Sequence, residues 1–290
     1  KSQTQGRKET QQGTAVSILK YKRSDIMKDD KIKLGLVLSG GGVRGIAHIG
    51  VIKALSEHGI EPDVVSGTSA GAVVGALYCN GFSPEQMMDF FKQIPLFHIN
   101  KFAFSKPGFI DTDKFYFEFK KHIGHDDFSK LKKKLFVTTV DMCEGILHVF
   151  ESGQLIKPLL ASSAFPGLFS PVDIDQKLFS DGGILDNFPT APLLPLCQKM
   201  IGVYASPLNR IEPYRLKYSV SVLERAIRIN YSKRSHAKFK NCFLMVNPLE
   251  LVDFGLLDVG KMDRIYQIGY ESANKAIHKL DNLEQIQNKI

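Results

Sequence analysis

Val64-Val65-Ser66-Gly67-Thr68-Ser69-Ala70-Gly71-Ala72-Val73-Val74 is the stretch that decides the fold of this 290-residue chain. β-branched residues lead into a Gly-x-Ser-x-Gly pattern, and small, helix-compatible residues follow it. That order predicts a buried strand turning sharply into a helix, with the Ser69 side chain left exposed at the turn. Gly67, Thr68, Ala70 and Gly71 form the elbow. The two glycines are needed because side chains there would collide with the strand and helix backbones. The helix, expected from about Ala70 to Cys79, aims its free N–H groups and positive dipole end at whatever Ser69 holds. An ordinary glycine-rich turn fits the five-residue pattern equally well, so the neighbouring sequence must decide.

Upstream, Lys33-Leu34-Gly35-Leu36-Val37-Leu38 is a continuous apolar run of strand length, expected to be buried on both faces of a parallel sheet. It runs into Ser39-Gly40-Gly41-Gly42-Val43-Arg44-Gly45, and then into a helical pattern from Ile46 to Leu55. A strand, a glycine loop and a helix in that order point several backbone N–H groups at an anion. Gly40, Gly42 and Gly45 fit a dinucleotide fingerprint, whereas a triphosphate loop lacks its Lys-Ser/Thr ending. The third candidate anion is the oxyanion of an acyl-transfer intermediate. A dinucleotide site also wants an acidic residue at the end of the second strand. Here that strand ends in Ser69, which favours the oxyanion.

Downstream, Ser83 and Pro84 predict a helix N-terminus. Phe97, Phe102, Phe104, Phe109, Phe115, Phe117 and Phe119 fill a segment broken by Pro95, Pro107 and Gly108. They read as core first, and as the apolar wall of a lipid-binding mouth second. Leu135–Asp141 and Ile146–Phe150 read as a hairpin, and Lys177–Asp181 as a short strand ending in a carboxylate before Gly182 and Gly183. Asp181 in isolation is equally well a turn cap. A basic helix is expected from about Val220 to Lys238, and an amphipathic one over Gly260–Ile290. Strands alternating with helices predict an α/β protein with a three-layer α/β/α domain and a mostly parallel central sheet.

Composition bounds the reading. With 43% hydrophobic residues the chain has enough apolar material for one large core. Residues 1–30 are read as an extension, disordered or derived from expression, and 31–290 as the folded domain. Cys79, Cys143, Cys197 and Cys242 form no paired motif, which argues against structural zinc and a disulfide framework and fits a cytoplasmic protein. The formal net charge of +8 lies partly in the N-terminal extension, and the rest concentrates in Lys130–Lys134 and between Arg210 and Lys240. No nucleic-acid motif accompanies it, so solvated surface ranks first, an anionic membrane second and nucleic acid far behind.

Four signatures then occur in one order: Gly40-Gly41-Gly42-Val43-Arg44-Gly45, Gly67-Thr68-Ser69-Ala70-Gly71, the stretch Ala161-Ser162-Ser163-Ala164-Phe165-Pro166 to Phe169-Ser170-Pro171-Val172, and Asp181-Gly182-Gly183 followed by Asn187 and Pro189. Together they resemble the patatin-like phospholipase family from about Lys33 through Val203. The resemblance implies a lipid acyl hydrolase with Ser69 as nucleophile and Asp181 as its base, a dyad without histidine. Backbone N–H groups around Gly40, Gly41, Gly42 and Val43 would form the oxyanion hole, with Ala70 N–H as a further donor and Arg44 as a fixed cation at the loop's end. It implies a phospholipid or other acyl-lipid substrate, peripheral contact with anionic membrane, and neither metal nor cofactor.

Three alternatives stay open. A Ser-His-Asp esterase would use His236 or His278, although neither follows a strand, and His48 reads as a packed helix residue. An acyltransferase could run on the same dyad. A lipid-binding module without turnover would suit the basic and aromatic segments, and would fail to react with a fluorophosphonate.

Overall fold

The computed structural model describes residues 33–94 and 110–287. Eight strands form one sheet: β1 (Leu34–Leu38), β2 (Val64–Thr68), β3 (Lys134–Asp141), β4 (Ile146–Phe150), β5 (Val172–Ile174), β6 (Lys177–Asp181), β7 (Lys199–Val203) and β8 (Leu244–Val246). Their order is β5-β6-β3-β2-β1-β7-β8, with β4 also paired to β3. The pairings of β3, β2, β1, β7 and β8 are parallel. Those of β4, β5 and β6 are antiparallel. The sheet is therefore mostly parallel with an antiparallel flank.

Side-chain alternation on the strands makes two cores. Leu34, Leu36 and Leu38 join one buried cluster, while Val37 joins another across the sheet. The first is built with α1 (Ala47–Glu57), α2 (Ala70–Asn80), α3 (Pro84–Gln93) and the last helix, α7 (Met262–Gln287). Ile265, Ile268, Ala273 and Ile277 of α7 are buried, as the amphipathic pattern predicts. The second core takes Phe188, Leu193 and Tyr231, the last from α6 (Ser219–Ala237). Two cores on opposite faces give the three-layer α/β/α arrangement. Two short helices, α4 (Tyr116–Ile123) and α5 (Ile156–Ser162), complete it.

Ser83 caps α3 with Pro84 at its first position, and Gln86 closes a reciprocal capping box. In the aromatic segment, Phe115 and Phe119 are buried and Phe117 is exposed. Phe97, Phe102, Phe104 and Phe109 lie outside the described residues.

Candidate active site

β2 delivers Ser69 to the start of α2 with φ 55° and ψ −129°, a conformation that non-glycine residues hold only when their surroundings enforce it. The surroundings here do. A Cβ on Gly67 would lie 2.6 Å from the Gly71 carbonyl oxygen, and one on Gly71 would strike the Leu38 carbonyl. The Ser69 N–H donates to Ser162 Oγ at 2.7 Å, and that hydroxyl donates to the Thr138 carbonyl at 2.8 Å. α5 thus pins the amide of the strained residue to β3.

Asp181 reaches the same end of the sheet through register. β2 pairs Thr68 with Thr138 of β3, and β6 pairs Asp181 with Thr139, the next position along. Asp181 Oδ1 accepts the Gly183 N–H at 2.7 Å, so the turn-cap reading also holds. The Ser69 side chain faces the same cavities as the carboxylate. Burial pushes the Asp181 pKa up to about 6, against the opposing pull of the Gly183 N–H and the nearby Ser69 hydroxyl. Both side chains are nearly enclosed, with Ser69 9% and Asp181 5% exposed.

The glycine loop lies against this pair. Gly40 is fixed from behind: its N–H donates to the Asn187 carbonyl at 3.2 Å, and its carbonyl accepts from Ser206 Oγ at 2.8 Å. The Val43 N–H, an expected oxyanion donor, instead donates to the Leu256 carbonyl at 3.0 Å. Gly42, at φ +58°, carries no side chain where a Cβ would lie 2.5 Å from Leu256 Cδ1 and 2.7 Å from its oxygen. The Gly41 and Gly42 N–H groups donate to none of the described residues. In this arrangement the loop offers those two amides, and Val43 is already taken.

Arg44, expected as a fixed cation at the loop's end, gains a partner there. It is buried, with Nη2 on Glu224 Oε1 at 2.7 Å and Nη1 on the Phe254 carbonyl at 3.0 Å. Arg228 approaches the same Glu224 oxygen at 3.4 Å. The two guanidiniums hold the Glu224 carboxyl below its ordinary range although burial pushes the other way. Arg44 is therefore a clamp on the segment before Leu256, and its charge is shared with Glu224.

Beside Ser69 the walls are apolar: Phe90, Phe91 and Phe119 line a pocket with Phe165, Phe169 and Leu257. Of the described residues of the aromatic segment, Phe119 is both core and cavity wall, whereas Phe115 is core alone. On the other side Leu256 separates this pocket from an open groove under Tyr214 and Tyr218. No histidine lines the described cavities at Ser69. His48 is buried, with Nε2 2.8 Å from the Ser39 carbonyl, and burial lowers its pKa to about 4. His236 bonds within α6, and His278 stacks edge-on with His58.

The family model for patatin-like phospholipases matches residues 36–194, which contain every residue of the elbow, the glycine loop and the Asp181 turn. The chain belongs to the patatin-like phospholipase family. It is 29% identical over 292 residues to lysophospholipase NTE1 of Coccidioides immitis, covering 86% of this chain and 18% of that protein. It is 28% identical over 290 residues to lysophospholipase nte1 of Neurospora crassa, covering 85% of this chain and 18% of that one. The chain therefore spans less than a fifth of the length of these curated relatives. Among solved structures, VipD from Legionella pneumophila superposes with a TM-score of 0.57 at 16% identity, over 87% of this chain and 67% of that one, a likeness of fold.

Sequence reasoning missed two contacts in this patatin-like site. Ser162 stood inside a quoted signature, yet nothing in the sequence said that its hydroxyl would meet the Ser69 amide. Leu256 lies in an irregular segment with no periodicity to read.

Proposed function

We propose that this chain is a lipid acyl hydrolase of the phospholipase A or lysophospholipase kind, acting through a Ser69 acyl-enzyme with Asp181 as general base. One observation carries the reading: a strained serine and a buried carboxylate, whose pKa burial raises to about 6, line one aromatic-walled pocket. The family membership and the lysophospholipase relatives support the substrate class.

In the first half-reaction, Ser69 Oγ attacks the ester carbonyl as its proton passes to Asp181. A carboxylate near its ordinary pKa of about 4 is a weak base for a hydroxyl, and burial makes this one stronger. The Gly41 and Gly42 N–H groups, with Ala70 N–H at the start of α2, receive the oxyanion. The ester C–O bond breaks, and Asp181 returns the proton to the leaving alcohol. Water then attacks the acyl-enzyme, gives its proton to Asp181, and Ser69 departs and regains it. The acyl chain occupies the aromatic pocket, and the alcohol part leaves through the groove past Leu256. Val43 N–H joins the oxyanion hole only when the Leu256 carbonyl gives way. The substrate comes from a lipid surface to which the protein attaches peripherally.

The test is a panel of lysophosphatidylcholine, phosphatidylcholine, monoacylglycerol and p-nitrophenyl esters, with Ser69→Ala as control. Fatty acid release by the wild-type chain alone supports the reading. Release by both, or transfer of the acyl group to an added alcohol in place of water, contradicts it.

A further inference from the structure

Lys130–Lys134 reads from sequence as solvated surface first and as a basic patch for an anionic membrane second, and the sheet register places it away from the site. Lys134 pairs with Val64 at the start of β2, whereas Ser69 follows the end of β2. The lysine run therefore lies at the opposite end of the sheet from Ser69. At about 3.3 Å per residue the intervening strand alone exceeds a Debye length at moderate salt.

The Ser69 end carries a different surface. α6 supplies Glu224, Arg228 and Tyr231 to the wall beside Ser69. Its outer face turns Val222, Ala226, Ile229 and Lys233 outward at helical spacing, and all four are exposed. The turn before it adds Tyr214, 73% exposed, and Tyr218, 66% exposed. This is an apolar stripe on the wrong side of a helix for a core, and it continues into the groove that runs to Leu256. From Arg210 to Lys240 the chain has nine Lys and Arg residues against Glu212 and Glu224. Arg228 is buried, Arg215 and Lys238 pair with Asp253 and Asp186, and Arg210, Lys217, Lys233, Arg234 and Lys240 are exposed. Glu224 is spent on Arg44 and Arg228 inside the protein.

We propose that the outer face of α6 and the preceding turn, centred on Tyr214, Tyr218, Val222 and Ile229, is the surface by which this protein docks on an anionic lipid bilayer. The inference rests on the lipid hydrolase reading and names the face that meets the lipid. Aromatic residues with a wet edge and an apolar body suit the headgroup boundary, and the cationic rim matches anionic lipid. Seated this way, the groove opens toward the bilayer, and an acyl ester reaches Ser69 past Leu256 without crossing water.

Binding is measured in the Ser69→Ala background, so that it does not depend on turnover. Vesicles of phosphatidylcholine with and without phosphatidylglycerol are sedimented with the protein. Binding should strengthen with phosphatidylglycerol and weaken with salt. Tyr218→Ser with Val222→Ser, and separately Lys217→Glu with Lys233→Glu, should each weaken it by about tenfold or more. Lys130→Glu with Lys132→Glu should change it little, and thermal unfolding midpoints identify any variant that fails to fold. Equal losses from the far-end lysines, or no loss from either α6 pair, overturn the proposal. So does light scattering that finds a dimer dissolved by Tyr218→Ser with Val222→Ser, because a second copy is then the occupant. Protein that binds as described but hydrolyses nothing when Ser69 is restored keeps the docking face and sinks the hydrolase reading.

Discussion

The Ser69 elbow and the Phe254–Asp258 segment both press on the glycine loop, and they are held in opposite ways. Backbone hard contacts at Gly67 and Gly71, plus the Ser162 bridge to β3, leave the elbow no alternative geometry. The segment hangs from exchangeable polar contacts: Arg44 on the Phe254 carbonyl, Arg215 on the Val252 carbonyl and Asp253, and Val43 N–H on Leu256. The two regions divide the labour. On the proposed mechanism, the group that attacks is enforced by sterics, and the group that covers it is attached by bonds that substrate can replace.

The largest effect expected on this comparison concerns the enforced side. Ser69→Ala and Asp181→Asn should each lower ester hydrolysis by about a thousandfold or more, and the double variant should be little worse than either. Steady-state kinetics with a p-nitrophenyl ester reads this directly. Multiplicative losses would mean that the two residues do not act as one unit.

Gly42→Ala probes the contact between the two regions. Its methyl group meets Leu256 at a left-handed backbone position, so loop or segment must shift. A fall in kcat of about a hundredfold with KM nearly unchanged is expected if the oxyanion amides move. Full kcat in a folded variant would locate the oxyanion donors elsewhere.

A smaller effect appears in stability. Asp181 has its folded pKa raised to about 6, so the folded state binds the proton more tightly than the unfolded chain. Stability from this group is intact below pH 4, and falls as pH rises toward and through 6, where the buried carboxylate ionises. Asp181→Asn should then stabilise the protein by about 2 kcal/mol at pH 7.5 and by almost nothing at pH 4. Chemical denaturation at the two pH values checks it, and a destabilised variant at pH 7.5 would deny that burial dominates.

The smallest effect belongs to the exchangeable side. Leu256→Ala should loosen the segment and raise kcat/KM on a soluble short-chain ester by about fivefold, as a shift of roughly 1 kcal/mol toward the open form requires. An unchanged or lower value would mean that Leu256 supports the site instead of covering it.

The same contrast explains what the sequence could say. Gly67, Ser69 and Gly71 were legible because strand, turn and helix are local, and their chemistry is written in adjacent residues. Asp181 was legible as a motif, but its nearness to Ser69 depends on β6 pairing beside β2 through β3, which no local pattern encodes. Arg44 is legible as a fixed cation at the loop's end, but its partner Glu224, 180 positions away, is not. Val43 was read as a donor for the same reason, before the Leu256 carbonyl was known to reach it. The lysine run at Lys130–Lys134 is legible as a basic surface, but its place at the end of the sheet far from Ser69 follows only from the register of β3. Long-range placement was the missing quantity each time.

The most direct measurement of the central claim is the rate at which a fluorophosphonate labels Ser69, followed by intact-protein mass spectrometry across pH 4–9. The account predicts a single adduct on Ser69, formed at a rate that rises through about pH 6 as Asp181 ionises. In Asp181→Asn the rate should be slow and flat through that range. Labelling at a residue other than Ser69, or a wild-type profile that Asp181→Asn leaves unchanged, would contradict it.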